Sequence, residues 1–313
     1  MIMSLFQIFI FPGMLFLLVA GLAAEYIDRK LVARFQNRVG PPWFQPLADI
    51  IKLAGKENVT VVGSDLQIFR LMPAIALAAA ITAFFYIPLW GVNALFSFNG
   101  DLIVVLYLLI IPSLTFFLGG WYSRSVYSMI GAVRALIQLF AYEVPLFLAI
   151  LASALLANTW SLSGLTAFYA AHPGLWLVNL LGFGVALVTL LGKLEKVPFD
   201  ISEAETEVVA GPFTEYSGQR LAFLRLTMNV ETIVASALLA AVFMPFGLNV
   251  HPVIGLVIFL LKVYFIVFLV ALARSLFARL RLDQMIEFCW KYLAPLAFIQ
   301  LLLNLIVKGA LRQ

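Results

Sequence analysis

The chain has 313 residues, of which 64% are hydrophobic and 12% are charged, and its mean hydropathy is +1.05. A soluble domain carries about 25% charged residues, and a globule of this composition would leave too much apolar surface in water. Soluble enzymes, secreted modules and disordered segments are therefore excluded. Long unbroken apolar runs argue against a transmembrane barrel, which needs short alternating strands. The composition predicts an all-α integral membrane protein.

Apolar runs of roughly 20 residues, the length that a spanning helix needs, predict eight membrane spans. In chain order they cover about 4–25, 72–94, 102–123, 132–156, 174–194, 221–245, 252–273 and 287–308. The region 158–174 is rich in serine, proline and glycine, and it separates the fourth span from the fifth. Residues 1–313 are therefore expected to form a single polytopic membrane domain.

Basic residues alternate between the loops that join these spans. Seventeen of the twenty Lys and Arg residues fall in four loops, at about 25–70, 122–134, 193–225 and 274–291. None falls in the intervening loops, 95–101, 157–173 and 246–251. By the positive-inside rule, the four basic loops face the cytoplasm and both termini lie outside.

The first inner loop contains an amphipathic segment after Gly40-Pro41-Pro42. Its apolar positions share one helical face: Trp43, Leu47, Ile50, Ile51 and Ala54. Its polar positions share another: Gln45, Asp49, Lys52 and Lys56. This pattern predicts a helix in the membrane interface, and periodicity alone favours a simple anchor. The preceding arginines suit membrane orientation, lipid contact or docking of a soluble partner.

The third inner loop concentrates acidic residues. Six of the sixteen in the chain lie there: Glu195, Asp200, Glu203, Glu205, Glu207 and Glu215. Such a run is usually a solvated loop, but apolar stretches at 197–199 and 208–213 predict that it folds back onto protein or membrane. Repulsion and partial burial are expected to raise the pKa of some of these carboxyls, which suits proton uptake and release.

Three ionisable residues interrupt the predicted spans: Glu143 in the fourth, Glu231 in the sixth and Lys262 in the seventh. A charge inside a bilayer is costly, so each is expected to have a function or a buried partner. An ion pair of Lys262 with either glutamate is one alternative, and such a pair is compatible with an ion relay. Glu25, at the inner end of the first span, would extend the line towards the cytoplasm.

Metal-binding patterns are lacking in the sequence. The chain has one cysteine, Cys289, and two distant histidines, His172 and His251. A disulfide within the chain is therefore excluded, and an iron–sulfur or nickel–iron centre held by this chain alone is not expected. We predict no catalytic, cofactor-binding or metal-binding residue.

Four motifs lie on the predicted inner side, spread along nearly the whole chain: 28–52, 131–145, 197–218 and 273–291. The third is the most specific, with Val197-Pro198-Phe199-Asp200, then Glu203-Ala204-Glu205-Thr206-Glu207, then Glu215-Tyr216-Ser217-Gly218. In this order they resemble the H subunit of respiratory complex I and its counterparts in membrane-bound nickel–iron hydrogenases. The eight-helix core of that family agrees with the count of spans.

Departures from the complex I pattern favour the hydrogenase-like branch, which includes formate hydrogenlyase and sulfur-reducing relatives. Met228 and Asp28 stand where complex I members usually carry Glu, and Glu231 lies three residues beyond Met228 on a neighbouring helix face. The segments 243–247 and 69–73 also look like that branch.

The resemblance implies an anchoring and coupling subunit that is not catalytic alone. A soluble arm of hydrogenase-like large and small subunits, with the Fe–S clusters and the Ni–Fe centre, would dock on the inner loops. Antiporter-like membrane subunits would move protons or sodium ions. The implied relay comprises Glu25, Glu143, Asp200, Glu203, Glu205, Glu207, Glu231 and Lys262. The implied docking residues are Arg29, Arg34, Arg38, Asp49, Arg279 and Arg281.

Other functions remain open at this point. In the quinone-site H subunit of NADH:quinone oxidoreductase, the first inner loop and the acidic loop help to line a quinone cavity, which the hydrogenase branch does not need. A stand-alone transporter is disfavoured because no internal repeat is evident, and a purely structural anchor leaves the intramembrane charges without a purpose. We expect a hetero-oligomer in the cell membrane of a bacterium or archaeon, in contact with lipid and not with nucleic acid.

Overall fold

The computed structural model describes residues 2–61, 63–91, 93–247 and 250–311, apart from the side chains of residues 2–4 and 205. Within these residues the chain forms helices and no strand. Eight helical segments of the described part are long and apolar enough to cross a membrane: Leu5–Phe35, Leu66–Phe84, Asp101–Tyr122, Val126–Ala157, Leu175–Lys193, Gly218–Phe243, Pro252–Leu276 and Leu282–Leu311. The all-α membrane fold with eight spans is confirmed.

The helices are numbered in chain order. They are α1 (Ile2–Phe9), α2 (Met14–Phe35), α3 (Gln45–Ala54), α4 (Leu66–Phe84), α5 (Asp101–Tyr122), α6 (Val126–Ala157), α7 (Leu162–Ala171), α8 (Leu180–Lys193), α9 (Glu205–Val208), α10 (Gly218–Phe243), α11 (Pro252–Leu276), α12 (Leu282–Phe288) and α13 (Ala294–Leu311). A 3-10 turn, Leu175–Asn179, precedes α8, and a π-helical turn, Cys289–Leu293, joins α12 to α13.

Helix α10 is the central helix of the bundle. In the most apolar 18-residue stretch of α10, 83% of the residues are buried, against 28% in the corresponding stretch of the first span and 22% in that of the last. A helix that is apolar around most of its circumference is stable only when neighbours cover every side. Helices α2, α4, α8 and α11 pack around α10, whereas α5, α6 and α13 extend the bundle on one side. The buried polar residues of α10, such as Glu231 and Ser236, therefore face other helices rather than lipid.

The start of α2 and the end of α13 lie on the side opposite the basic loops. Phe11 stacks on Trp90, which follows α4, with ring centroids 5.7 Å apart. Lys308 donates a hydrogen bond of 2.8 Å to Asn158, which follows α6. Asn158 belongs to the predicted outer loop 157–173, and Trp90 follows the outer end of α4 at Phe84, so this arrangement agrees with the predicted topology.

Several observed helices extend past the charge-free runs that defined the predicted spans. Helix α2 continues to Phe35, so Glu25 and Arg29 lie on a helix and not in a loop. Helix α6 begins at Val126, which places Arg134 on that helix. Lys193, assigned by its charge to the third inner loop, is the last residue of α8 and is buried. The hydrogen bonds of a helix run between backbone groups and do not require apolar side chains, so a charge-free run gives only the minimum length of a helix.

A short helix, α7, occupies the break between the fourth and fifth spans. The carboxylate of Asp101, at the start of α5, accepts a hydrogen bond of 2.6 Å from the backbone N–H of Leu162. A carboxylate at a helix N-terminus is favourable because it meets unpaired N–H groups. The outer connection is thus anchored to α5.

Candidate functional site

The acidic loop, defined here as residues 194–217, folds back onto the inner ends of the helices, as its apolar residues predict. Phe213 and Tyr216 enter a buried cluster with Phe69 of α4 and Phe116 of α5. The Phe213 and Phe116 rings meet edge to face at 5.0 Å, and the Tyr216 and Phe69 rings stack at 4.1 Å. These aromatic contacts fix the end of the loop beside the bundle.

Two glycines allow the acidic loop to approach α6 closely. A Cβ atom on Gly131 would lie 2.5 Å from the Cα of Gly211. Gly211 has φ +53°, and a Cβ there would overlap the carbonyl oxygen of Ser202. Beside this contact, Ser128 donates a hydrogen bond of 3.1 Å to the carbonyl of Pro212. A larger residue at Gly131 would separate the loop from α6, and a larger residue at Gly211 would disturb the packing of the loop on itself.

Asp28 joins three elements at the inner end of the bundle. Lys196 of the acidic loop and Arg274 of α11 both bind its Oδ2 atom, at 2.9 Å and 2.8 Å. Asp28 is buried on α2, so one carboxylate holds two cations from distant parts of the chain. A buried charge needs such partners. This cluster therefore fixes the acidic loop relative to α2 and α11.

Glu25 begins a second set of polar contacts, one turn before Asp28. Its carboxylate contacts the guanidinium of Arg29 and the side-chain amide of Asn229 on α10. Arg29 also binds Asp49 of α3 at 3.0 Å. Of the residues expected to dock a partner, Arg29 and Asp49 are thus already paired with each other.

These contacts turn the polar face of α3 towards α2 and α10. The apolar face of α3 points away from the protein, with Leu47 and Ile51 exposed. Such an orientation is expected of a helix that lies in the membrane interface, because its apolar face can enter the acyl region. The remaining docking candidates Arg34, Arg38, Arg279 and Arg281 are exposed on the inner side.

A polar cavity of about 170 Å³ lies among α2, α10, α11 and the acidic loop. Its lining includes the four acidic residues Glu25, Asp28, Glu195 and Glu203. A second cavity, of about 370 Å³, lies beneath α3 and shares Glu25, Arg29 and Arg225 with the first. Cavities of this size and polarity hold water. They give the inner face a polar entrance that reaches the ends of the spans.

Glu195 is a buried carboxyl in the wall of this cavity. Ser202 donates a hydrogen bond of 2.7 Å to it. Burial, together with the nearby charge of Glu203, raises the pKa of Glu195 to about 8. Glu195 therefore holds a proton at neutral pH and releases it as the pH rises through that value. The sequence places it in the acidic loop but does not assign it to the relay, because its two lysine neighbours conceal its burial.

Glu207 has the opposite environment. It is exposed and binds the guanidinium of Arg134 on α6. That hydrogen bond and charge hold the pKa of Glu207 below its usual value. The expected rise of pKa in the loop thus applies to Glu195 and not to Glu207, since only Glu195 is removed from water.

Two further acidic residues of the loop contact cations. The carbonyl oxygen of Asp200 accepts a hydrogen bond from Arg279, and Glu203 lies 3.5 Å from Arg225 of α10. The side chain of Glu205, another predicted relay member, lies outside the described residues. Asp200, Glu203 and Glu207 therefore connect the loop to three different elements.

Lys193 and Glu231 form an ion pair inside the membrane. The Nζ and Oε1 atoms are 2.5 Å apart, and each side chain is 3% exposed. Lys193 also contacts the carbonyl oxygen of Leu109 and the hydroxyl of Ser113. Glu231 thus has the buried partner that its cost in the bilayer demands. The sequence does not reveal Lys193 as that partner, because its charge assigns it to an inner loop.

Glu143 lies beside this pair. A cavity of about 20 Å³ is lined by Glu143, Lys193 and Tyr142, among mostly apolar side chains. This volume is roughly what one water molecule requires. The buried Oε1 atom of Glu143 accepts no hydrogen bond from the described residues. Lys193 therefore lies between two carboxylates, one in direct contact and one across a space for water.

Lys262 lies apart from these acidic residues. Its ammonium donates a hydrogen bond of 2.7 Å to the carbonyl of Met244 and also contacts the carbonyl of Phe246, beyond the outer end of α10. In the described ranges it forms no ion pair with a carboxylate. The alternative in which Lys262 pairs with Glu143 or Glu231 is therefore wrong. Lys262 instead satisfies carbonyl groups at a helix C-terminus.

The inner cavity and the membrane pair are close along the chain. Lys193 ends α8, and Glu195 lies two residues later in the cavity wall. On α10, Asn229 lines the cavity while Glu231 reaches Lys193. Protonatable groups thus continue from the inner face into the membrane. Among the described residues, no group of three or more His, Cys, Asp or Glu side chains is arranged to hold a metal ion.

Comparison with known proteins places these features in a family. The family model described as NADH dehydrogenase matches residues 7–305. The H subunit of the NADH-quinone oxidoreductase of Syntrophotalea carbinolica is 35% identical over 99% of this chain and 97% of its own length. The corresponding subunit from Thermus thermophilus, numbered 8 in its NADH-quinone oxidoreductase, is 36% identical over 93% of this chain and 85% of its own length.

A solved structure has the same fold. It is a chain of the membrane-bound sulfane sulfur reductase, described as an archaeal respiratory membrane complex. The TM-score is 0.82 and the sequence identity is 28%, with 93% of this chain and 96% of that chain covered. The similarity therefore includes all but a small part of either chain.

Proposed function

The chain belongs to the NADH dehydrogenase family, as the H subunit of a complex I-like respiratory membrane complex, and we propose that it couples electron transfer in that complex to ion translocation. The observation that carries the proposal is the position of Lys193. It lies between Glu231 and Glu143 inside the membrane, one turn from the polar cavity of the inner face. This arrangement links the docking side of the protein to the interior of the bilayer.

The relay begins in the inner cavity, which Glu25, Glu195 and Glu203 line. Asp200 and Glu207 lie in the same loop, at its contacts with Arg279 and Arg134. A change in the soluble arm that moves the acidic loop would alter these contacts and the burial of Glu195. Protons would then enter or leave the cavity wall, because burial and neighbouring charge set the proton affinity of a carboxyl.

The membrane step depends on the single positive charge of Lys193. One ammonium neutralises one carboxylate, so Lys193 cannot satisfy Glu231 and Glu143 at the same time in the ionised state. While Lys193 is paired with Glu231, the unpaired Glu143 holds a proton, because an unpaired carboxylate is too costly in the bilayer. When Lys193 turns towards Glu143, Glu143 releases its proton and Glu231 takes one up, and the reverse movement exchanges the two roles. Each cycle would transfer one proton between the two sides of the pair.

The hydrogenase-like or sulfur-reducing branch is favoured as the kind of complex. Met228 lines the inner cavity where complex I members usually carry Glu, and Glu231 is paired with Lys193 instead. In this branch a soluble arm with Fe–S clusters and a Ni–Fe or related centre would dock on the exposed Arg34, Arg38 and Arg281. Antiporter-like subunits would continue the path laterally through the membrane.

A second candidate function is a quinone site. The relatives are named NADH-quinone oxidoreductases, and the cavity of about 370 Å³ beneath α3 has the apolar residues Pro46, Ile50 and Leu53 in its wall. A photoreactive quinone analogue attached to residues 40–56 or 200–215 of the purified complex would support this function. Labelling spread over the lipid-facing surface would oppose it.

The coupling proposal is tested in the reconstituted complex with Glu143→Gln and Glu231→Gln. Both variants are expected to lose most ion uptake into vesicles, followed with proton-sensitive and sodium-sensitive dyes, while electron transfer with an artificial carrier continues. Glu215→Gln, which removes a carboxylate of the same acidic loop away from the cavity, is the matched control. Normal ion uptake in both Glu143→Gln and Glu231→Gln would refute the relay.

A further inference from the structure

Two arginines lie at the inner ends of the neighbouring helices α4 and α10, outside the relay. Arg70 is the fifth residue of α4 and Arg220 is the third residue of α10. The two helices pack against each other, and Arg70 directly follows Phe69, whose ring lies under the Arg220 guanidinium. In the described part of the chain, neither arginine forms an ion pair with a carboxylate. Two positive charges are therefore close together without a counter-charge.

The Arg220 side chain is held in a fixed orientation. Its guanidinium lies over the Phe69 ring, 5.8 Å from the centroid, and Phe69 is itself stacked on Tyr216. The buried Nη1 atom donates no hydrogen bond to a described residue. The side chain as a whole is only half-buried, so its other N–H groups stay available, and their planar arrangement matches the oxygens of a phosphate group.

The backbone around Arg220 is already satisfied. The Asn58 side chain accepts a hydrogen bond of 3.4 Å from the Arg220 backbone N–H, and Ser217 accepts one of 2.8 Å from the N–H of Val59. A ligand at this place would therefore bind the two guanidinium groups and not the helix N-terminus.

On the lipid-facing surface of the same two helices, apolar residues extend the site beyond the arginines. Leu71 and Ile75 on α4 and Phe223 on α10 are exposed where the spans meet lipid. The arginines thus lie at the level of the headgroups, directly inside a strip of apolar surface. An anion with acyl chains fits both parts, whereas free phosphate would use only the charged part.

We propose that Arg70 and Arg220 form a specific binding site for an anionic phospholipid of the inner leaflet. The phosphodiester accepts hydrogen bonds from both guanidinium groups and neutralises their mutual repulsion, and the acyl chains lie along Leu71, Ile75 and Phe223. A zwitterionic lipid binds less well because it brings its own ammonium group next to two cations. The bound lipid would stabilise the contact of α4 with α10, which also holds Phe69 and Tyr216 at the end of the acidic loop.

The test uses the purified complex, exchanged into nanodiscs with equal amounts of phosphatidylglycerol and phosphatidylcholine and then examined by native mass spectrometry. The wild type is expected to retain phosphatidylglycerol in preference to phosphatidylcholine. In the double variant Arg70→Gln/Arg220→Gln, that preference is expected to fall about thirty-fold, since each of the two basic residues at an anionic surface contributes about 1 kcal/mol. Arg220→Lys keeps the positive charge but not the planar guanidinium that donates paired hydrogen bonds, and this variant is expected to lose part of the preference for phosphatidylglycerol.

The charge-matched control is Lys52→Gln/Lys56→Gln, which removes two exposed positive charges from the same inner interface. It is expected to keep the preference of the wild type. An equal loss in this control would overturn the proposal in favour of general surface attraction. Displacement of the lipid by inorganic phosphate at equal concentration would contradict the role of the acyl chains. An unchanged preference in a folded Arg70→Gln/Arg220→Gln variant would exclude the site.

Discussion

Lys193, the last residue of α8, differs from a solvent-exposed lysine in its burial and in its ion pair. Lys193 is buried, is paired with Glu231 and faces a small cavity that also contains Glu143. A buried pair adds little to stability compared with apolar residues of the same size, because both charges lose their hydration. The presence of a buried Lys193–Glu231 pair is therefore better explained by a role in ion transfer than by a contribution to folding stability.

Removal of Lys193 alone tests how strongly the pair depends on it. In Lys193→Met, Glu231 remains buried without a counter-charge, so we expect a loss of about 3–5 kcal/mol in the free energy of unfolding, or protonation of Glu231 in its place. Thermal unfolding of the purified complex at several pH values measures this effect. A variant as stable as the wild type at every pH would show that Glu231 has another partner.

Glu195 gives the protein a defined dependence on pH. Its pKa is about 8 in the folded protein and about 4.3 in an unfolded chain. The protonated form is thus favoured by folding, and its contribution to stability is complete below the lower value and lost as the pH rises through the higher one. In Glu195→Gln this dependence disappears.

The measurement compares the unfolding temperature of wild type and Glu195→Gln between roughly pH 5 and 8. The wild type is expected to lose stability relative to the variant across this interval. Glu215→Gln, in the same acidic loop, serves as the control and should follow the wild type. Parallel curves for wild type and Glu195→Gln would mean that Glu195 is ionised throughout.

At the level of single residues, the sequence identifies Glu143 and Glu231 as relay candidates, because a carboxylate within an apolar run has a known free-energy cost. It does not identify Lys193, Lys196 or Glu195. Their charges alternate within four residues at the end of a span, and only the three-dimensional contacts distinguish a buried lysine from an exposed one.

Among the elements, the acidic loop depends most on close packing. It contacts α6 through Gly131 and Gly211, and α4 and α5 through Phe213 and Tyr216. The apolar residues between its carboxylates predict that it folds back, since a solvated loop has no need of them. Its partners could not be predicted, because a glycine contact leaves no hydrophobic periodicity in the sequence.

Gly131→Ala tests this contact. The new Cβ would lie 2.5 Å from the Gly211 Cα, so the loop must move away from α6. We expect a cost of about 1–3 kcal/mol and faster proteolytic cleavage within the acidic loop. Gly184→Ala on α8 is the matched control, because a Cβ there meets no atom within 4 Å. Equal protease resistance of the two variants would show that the loop is not held by this approach.

The interfacial helix α3 shows how far an amphipathic pattern can be used. The pattern predicts a helix and its lipid-facing side, and both agree with the exposed Leu47 and Ile51. The predicted helix also carries Asp49 on its polar face. That Asp49 binds Arg29 of α2 depends on the position of α3 in space, and residues twenty positions apart give no periodic signal.

For the whole molecule, the number and topology of the spans follow from the placement of few charges. Long apolar runs separated by alternately basic and uncharged loops allow one arrangement of eight helices. The site itself joins residues that are far apart in the chain. Asp28 binds Lys196 and Arg274, which lie 168 and 246 positions away. Such contacts require the folded bundle, and a single sequence does not predict them.

One double variant distinguishes the effect of the Lys193–Glu231 pair on stability from its effect on ion transfer. In Lys193→Met/Glu231→Leu, both charges are replaced by apolar side chains of similar volume, so no buried charge is left unpaired. Stability is therefore expected to recover from the loss in Lys193→Met. If the pair only stabilises the fold, this double variant should behave like the wild type. If the pair relays ions, the double variant should lose ion transfer.

The most direct measurement is ion uptake by vesicles that contain the complex with Lys193→Met/Glu231→Leu, recorded together with electron transfer to an artificial carrier. The account predicts a folded complex with electron transfer close to that of the wild type and ion uptake reduced to background. Ion uptake at the wild-type rate in the folded double variant would contradict the central claim that ions pass through the Lys193–Glu231 pair.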